Sequence, residues 1–149
     1  MKDVIEQLAS GRQLHIDRLV EWLRIPSIST DPQRNGDVRD AGEWIQQELA
    51  RSGFAARLDE TDGHPVCFAS WNGAEGAPTV LIYGHYDVQP PEPLELWRHG
   101  AFEPTVEDDN LIARGATDDK GQVLALVRGI CGVLQQRGSL PVNIKFLIE

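Results

Sequence analysis

The chain has 149 residues, a formal charge of -9, 41% hydrophobic and 25% charged residues. That length suits one domain able to bury roughly two thirds of its unfolded surface, and no apolar run approaches the ~20 residues that span a bilayer. So negative a balance argues against a phosphate-backbone partner, so neither nucleic acid nor a membrane is expected.

In chain order, Val4 to Leu23 carries Ile5, Leu8, Ile16, Leu19, Val20 and Leu23 at mostly helical spacing, with Gly11 as a weak point. This predicts one long helix or two short ones, ended by Ile25-Pro26 because the residue before proline is pushed out of the α region. Ser27 to Gly36 reads as a loop, and Asp37 as the N-cap of a helix whose stripe is Val38, Ala41, Trp44, Ile45 and Leu49, stopped by Gly53. Phe54–Asp59 and Val66–Trp71 read as strands joined by a hairpin-compatible turn. Thr79–Tyr83 is the next strand. A Pro-rich loop from Val88 to Val106, long enough to line a cleft, shows no helical pattern. Leu111–Arg114 reads as a short strand, Gly115–Gly121 as a turn, Gln122–Arg137 as a helix closed by Gly138, and Val142–Ile148 as a strand from the middle of a sheet. The order of elements predicts an α/β fold with a largely buried central sheet. The N-terminus lacks the apolar core and cleavage site of a signal peptide. Cys67 and Cys131 fall in apolar patterns and read as buried free thiols, so the expected location is cytoplasmic.

The chemistry concentrates between Leu81 and Gln122. The strand ending at Tyr83 runs into G-H-Y-D-V-Q-P, which places His85 and Asp87 two positions apart where the chain leaves the sheet. In extended chain such residues point to the same side. Asp87 can therefore orient the imidazole or act on a metal-bound water. The turn R-G-A-T-D-D-K-G-Q then brings Asp118 and Asp119 to the head of an apolar helix pattern. Either aspartate can be an N-cap; Asp119 suits that role and Asp118 a metal. Ligands in α/β sheets collect outside the carboxyl ends of strands, where His85 and Asp118 both lie. His15, His64 and His99 have no carboxylate at matching spacing and read as solvent-facing, and Lys120 reads as a helix-start charge.

G-H-Y-D-V-Q-P joined to G-A-T-D-D-K-G-Q resembles the co-catalytic di-zinc exopeptidases and deacylases, a family that includes carnosinase-type dipeptidases, carboxypeptidase G, aminoacylase and the desuccinylases. The first motif is most similar to the dipeptidase branch. The resemblance covers nearly the whole chain and implies a three-layer α/β/α zinc-exopeptidase-like catalytic domain with a mostly parallel central sheet, of which residues 1–149 are the N-terminal portion. It implies two divalent metal ions, most simply zinc, with His85 a terminal ligand, Asp118 the bridging carboxylate and Asp87 the catalytic partner. It also implies a cis peptide bond between Asp118 and Asp119. The expected reaction is hydrolysis of the amide bond of a dipeptide or short peptide; the alternatives are deacylation of an N-acyl amino acid and a non-catalytic fragment. The full-length protein is a possible homodimer.

By the same resemblance the remaining ligands and a general-base glutamate lie beyond Glu149, so the chain reads as cut. His85 and Asp118 offer each metal only two protein donors against about four usual for zinc. A strand ending flush at the terminus is also expected to expose an adhesive edge. Taken alone, the 149-residue polypeptide is therefore expected to hold metal weakly and to hydrolyse no peptide. Two tightly bound zinc ions per chain after dialysis, with turnover abolished by His85→Ala, is the result that overturns this.

Overall fold

The computed structural model describes residues 2–149. Four helices, α1 (Lys2–Ser10), α2 (Arg12–Leu23), α3 (Asn35–Arg51) and α4 (Lys120–Arg137), accompany six strands. These are β1 (Ala55–Asp59), β2 (Val66–Trp71), β3 (Thr79–Gly84), β4 (Thr105–Glu107), β5 (Asn110–Ile112) and β6 (Asn143–Ile148). Gly11 divides the first helical stretch into two. At the other end of the chain Gly138, with φ of 71°, closes α4 in the left-handed conformation that glycine adopts without strain.

The main sheet has the order β1-β2-β6-β3. It is mixed, not mostly parallel: β1 with β2 and β2 with β6 are antiparallel, and only β3 with β6 is parallel. Connection length explains the difference. The short turn after Asp59 can only return the chain antiparallel, whereas β3 and β6 are separated by the long crossover that contains α4. Residues two apart face the same way, so Cys67 and Ala69 of β2 and Ile144, Phe146 and Ile148 of β6 all enter one core with Trp22, Val38, Ile45, Leu49, Val123 and Val127. Phe54 meets Phe146 edge to face at 5.4 Å between centroids.

The opposite face, with Arg57 over the ring of Phe68 and with Leu81 and Tyr83 exposed, carries no helix among the described residues. The chain therefore shows two of the three layers expected. The terminal strand is also not an edge. β6 is paired on both sides, and the edge strands are β1 and β3.

Three local expectations are corrected. Helix α3 starts at Asn35, two residues before Asp37, because Asp31 caps a 3-10 turn over Pro32–Arg34 by accepting from Gln33 N at 2.9 Å, and that turn feeds into the helix. The acidic V-E-D-D-N segment forms a β4–β5 hairpin around Asp108 and Asp109, at φ of 47° and 62°; the expected strand at Leu111–Arg114 is the second arm, shifted to Asn110–Ile112. The proline-rich loop contains a 3-10 turn at Leu94–Leu96.

A buried ionic cluster and a stacked indole pair tie the helices together. Glu48 of α3 is 4% exposed and bound by Arg18 of α2, Arg128 of α4 and Arg51, the last at 2.9 Å. Trp22 stacks on Trp44 with centroids 5.0 Å apart, and its Nε1 donates to Ala41 O at 3.0 Å. Arg18 lies over the other ring of the pair, Trp44.

Burial alone would raise the Glu48 pKa, but the arginines outweigh it and hold the carboxyl below its ordinary range. A depressed folded pKa contributes stability that is full above the unfolded value, about 4.3, and lost as pH falls through the folded one. Glu48→Gln should cost about 3 kcal/mol near neutrality by leaving guanidinium groups half-buried without their anion. Urea unfolding measured from neutral to acid pH should show the gap between wild type and variant closing below the carboxylate range.

Candidate metal centre

The geometry at the cleft begins with the parallel ladder of β3 and β6. It continues past the strand ends, with Glu149 N donating to Gly84 O at 3.1 Å and Tyr86 N to Glu149 O at 2.7 Å. This keeps residues 85–87 extended, so His85 and Asp87 share a side while Tyr86 turns into the core, where it is fully buried and its hydroxyl donates to Pro65 O. Gly84 has to be glycine. A Cβ there would lie 2.5 Å from Val123 Cγ2 and 2.8 Å from Asp119 Oδ2.

His85 Nδ1 donates to Asp87 Oδ1 at 2.8 Å, and Nε2 lies 3.1 Å from Asp118 Oδ1. His85 and Asp87 side chains are about one third exposed and Asp118 is largely exposed. The three predicted residues thus come together at the carboxyl end of β3. Burial pushes the imidazole pKa down, but the charge and hydrogen bonds of Asp87 overcome that and raise it. His85 is thus bracketed by two carboxylates, with Nδ1 facing Asp87 and Nε2 facing Asp118.

Asp119 stands at the N-cap position of α4, as expected, but its carboxylate caps nothing. Asp119 Oδ2 instead accepts from His85 N at 3.3 Å. The Asp118–Asp119 peptide bond is cis.

Imidazole nitrogen and carboxylate oxygen are the donors a borderline dication takes, and two donors bound to one zinc at ~2.0–2.2 Å stand roughly 3–3.5 Å apart. The pair at 3.1 Å fits as part of a metal site. It is only a part: among the described residues no three His, Cys, Asp or Glu side chains form a group able to hold an ion.

Around them is a cleft of 550 Å³, lined by Ser29, Thr61, His64, Tyr83, His85, Asp87 and Glu149 among others. Tyr83 donates its hydroxyl to Glu149 at the rim. An apolar groove of 410 Å³ between α1, α2 and α4 shares no residue with this cleft.

Two placements were not foreseen. Lys120 is no solvated helix-start charge but fully buried, with Nζ donating to Trp22 O at 3.0 Å and Ile25 O at 2.8 Å. It thereby caps the carboxyl end of α2 from the first turn of α4. Burial drives its pKa down to about 7, against the charges of Asp87 and Asp37. His64 is half-buried at the cleft, and its Nε2 donates to Ser29 O at 3.0 Å. Neither had a local signal. A lysine opening a helix and a histidine in a turn both read as surface residues. His99 pairs with Glu107 away from the cleft.

Comparison with known proteins places this arrangement in a class. Residues 81–149 match the model of Peptidase family M20/M25/M40, a stretch that holds His85, Asp87 and Asp118. The chain is 41% identical over 166 residues to the Beta-Ala-His dipeptidase of Homo sapiens, covering 98% of this chain and 32% of the relative. It is 26% identical over 164 residues to the Cys-Gly metallodipeptidase DUG1 of Saccharomyces cerevisiae, covering 100% of this chain and 34% of that protein. The crystal structure of human carnosine dipeptidase 1 superposes with a TM-score of 0.90 at 29% identity, over 99% of this chain and 34% of that one. The chain is thus related to the M20 metallopeptidases along nearly its whole length, and the resemblance read from its two motifs holds. It spans about a third of the length of the curated relatives it matches.

Proposed function

We propose that residues 1–149 are the N-terminal portion of the catalytic domain of a metal-dependent exopeptidase that cleaves the amide bond of dipeptides or short peptides. The observation that carries this reading is the meeting of His85 Nε2 with Asp118 Oδ1 at 3.1 Å, with Asp87 behind the imidazole, in an open cleft. The relatives' names, two of them dipeptidases of defined specificity, support the substrate class.

In this reading His85, through Nε2, and the Asp118 carboxylate would contribute to holding two divalent ions, most simply zinc. Asp87 accepts the hydrogen bond from Nδ1–H, which fixes the imidazole tautomer and makes Nε2 a better donor. Bound there, such an ion pair polarises a substrate carbonyl and makes a water more acidic. Asp119 holds the backbone at His85 and keeps the two ligand-bearing segments together. The exposed side of Asp118 leaves room for further donors, which the resemblance puts beyond Glu149 along with the general base.

The substrate is a small peptide or an N-acyl amino acid, and the net charge of -9 gives no purchase for nucleic acid. Among the described residues no helix is long and apolar enough to cross a membrane. Both cysteines are buried and free, with the Cys67 thiol pushed up to about 12 by burial, which supports a reducing, cytoplasmic setting. The full-length protein as a homodimer belongs to the same proposal.

The test is metal analysis and hydrolysis of a panel of dipeptides and N-acyl amino acids by the full-length protein. Dipeptides should be turned over with two ions bound, and His85→Ala should lose more than the roughly 10–100-fold typical of an outer-shell partner. Preference for N-acyl amino acids makes the protein a deacylase instead, and full activity after exhaustive metal removal overturns the reading.

A further inference from the structure

The loop that follows α2 does more than connect it to α3. Val88 N donates to Ser27 O at 2.8 Å, Ser27 Oγ donates to Tyr86 O at 2.7 Å, and Ile28 forms a parallel bridge with Val88. Residues 27–29 thus run beside residues 86–88 as a short strap, alongside the segment that carries His85 and Asp87. At the end of that strap Ser29 Oγ hydrogen-bonds Asp87 Oδ2, the carboxylate oxygen that His85 does not use. An ionised carboxylate only accepts, so the serine hydroxyl is the donor.

We propose that Ser29 is a positioning residue of the metal site, clamping the Asp87 carboxylate so that its other oxygen stays aimed at His85 Nδ1. The inference rests on the functional reading above. A carboxylate held at one oxygen alone turns about its last side-chain bond, a torsion with broad wells. A donor on the second oxygen removes that freedom and, through Nδ1, fixes the plane of the imidazole and the direction of Nε2. The clamp is itself held in place. His64 Nε2 donates to Ser29 O at 3.0 Å, and the Ile28–Val88 bridge sets the register one residue away. Ser29 is only half-buried, and it lines the cleft, so the hydroxyl is not explained as core packing.

The test uses the full-length protein with Ser29→Ala and Ser29→Thr. Ser29→Cys, similar in size but a weak donor, takes the place of alanine should that variant fail to fold. Ser29→Ala should bind zinc about 10–100-fold more weakly, the range seen when an outer-shell partner is lost, and should alter the visible spectrum of the cobalt-loaded protein. Its metal-free melting temperature should stay within about 2 °C of wild type. Ser29→Thr, which keeps the hydroxyl, should restore both metal affinity and spectrum. Unchanged metal affinity in Ser29→Ala, with an active wild type, overturns the role of Ser29 and leaves the site reading intact. Equal loss in Ala and Thr variants with lowered melting temperatures reduces Ser29 to a folding role and also overturns it. A wild type that neither binds metal nor cleaves dipeptides overturns the site reading, and this inference with it.

Discussion

The parallel pairing of β3 with β6 is the constraint from which the cleft follows. Its ladder runs from Thr79 opposite Asn143 to Gly84 opposite Ile148 and then extends through Glu149 to Tyr86. A one-residue slip would turn every side chain of β3 over. His85 and Asp87 would then point to the core and Tyr86 to water. The register is held because Phe146 and Ile148 on one strand, and Tyr86 beyond the other, are all fully buried on the helical side. Packing of apolar side chains on one face thus decides which way two polar side chains leave the sheet.

The segment that carries Asp118 is brought to the one that carries His85 by contacts that are polar and short in reach. Asp119 reaches across to the backbone of His85, and Gly84 clears the space for it. Lys120 anchors the start of α4 against the end of α2, and the Glu48 cluster joins α2, α3 and α4 farther along. These groups are costly to bury and tolerable only when their partners are all present. The arrangement therefore favours one mutual placement of the helices over nearby alternatives that greasy contacts alone would accept.

Much of this was legible in the chain. β2 was placed to the residue and β1, β3 and β6 to within one, because alternating or continuous apolar runs end at Gly, Pro and Asp. The meeting of His85, Asp87 and Asp118 was legible because the two motifs place donor types where the chain leaves a strand and where it enters a helix. What escaped was tertiary in origin. Ser29 lies 58 positions from Asp87 and carries no local mark of its role. The hairpin over Asp108 and Asp109 lacks the glycine that usually signals such a turn. The sheet's mixed directions follow in part from the short connection between the first two strands, a local constraint that the resemblance to a mostly parallel sheet does not carry.

The stacked pair Trp22–Trp44 has an optical consequence. Two indoles 5.0 Å apart and inclined by only 12° are close enough for their excited states to couple. Trp22 is hydrogen-bonded at Ala41, is fully buried, and has the Lys120 ammonium 5.8 Å from its ring, while Arg18 covers the other indole. The charges sit against the chromophores, so their emission is sensitive to the local field. The lysine concerned is one residue from Asp119 and two from Asp118. The protein thus carries an intrinsic optical pair in its core, at the junction of α2 and α4, set against the same lysine that follows Asp118 and Asp119 in the chain.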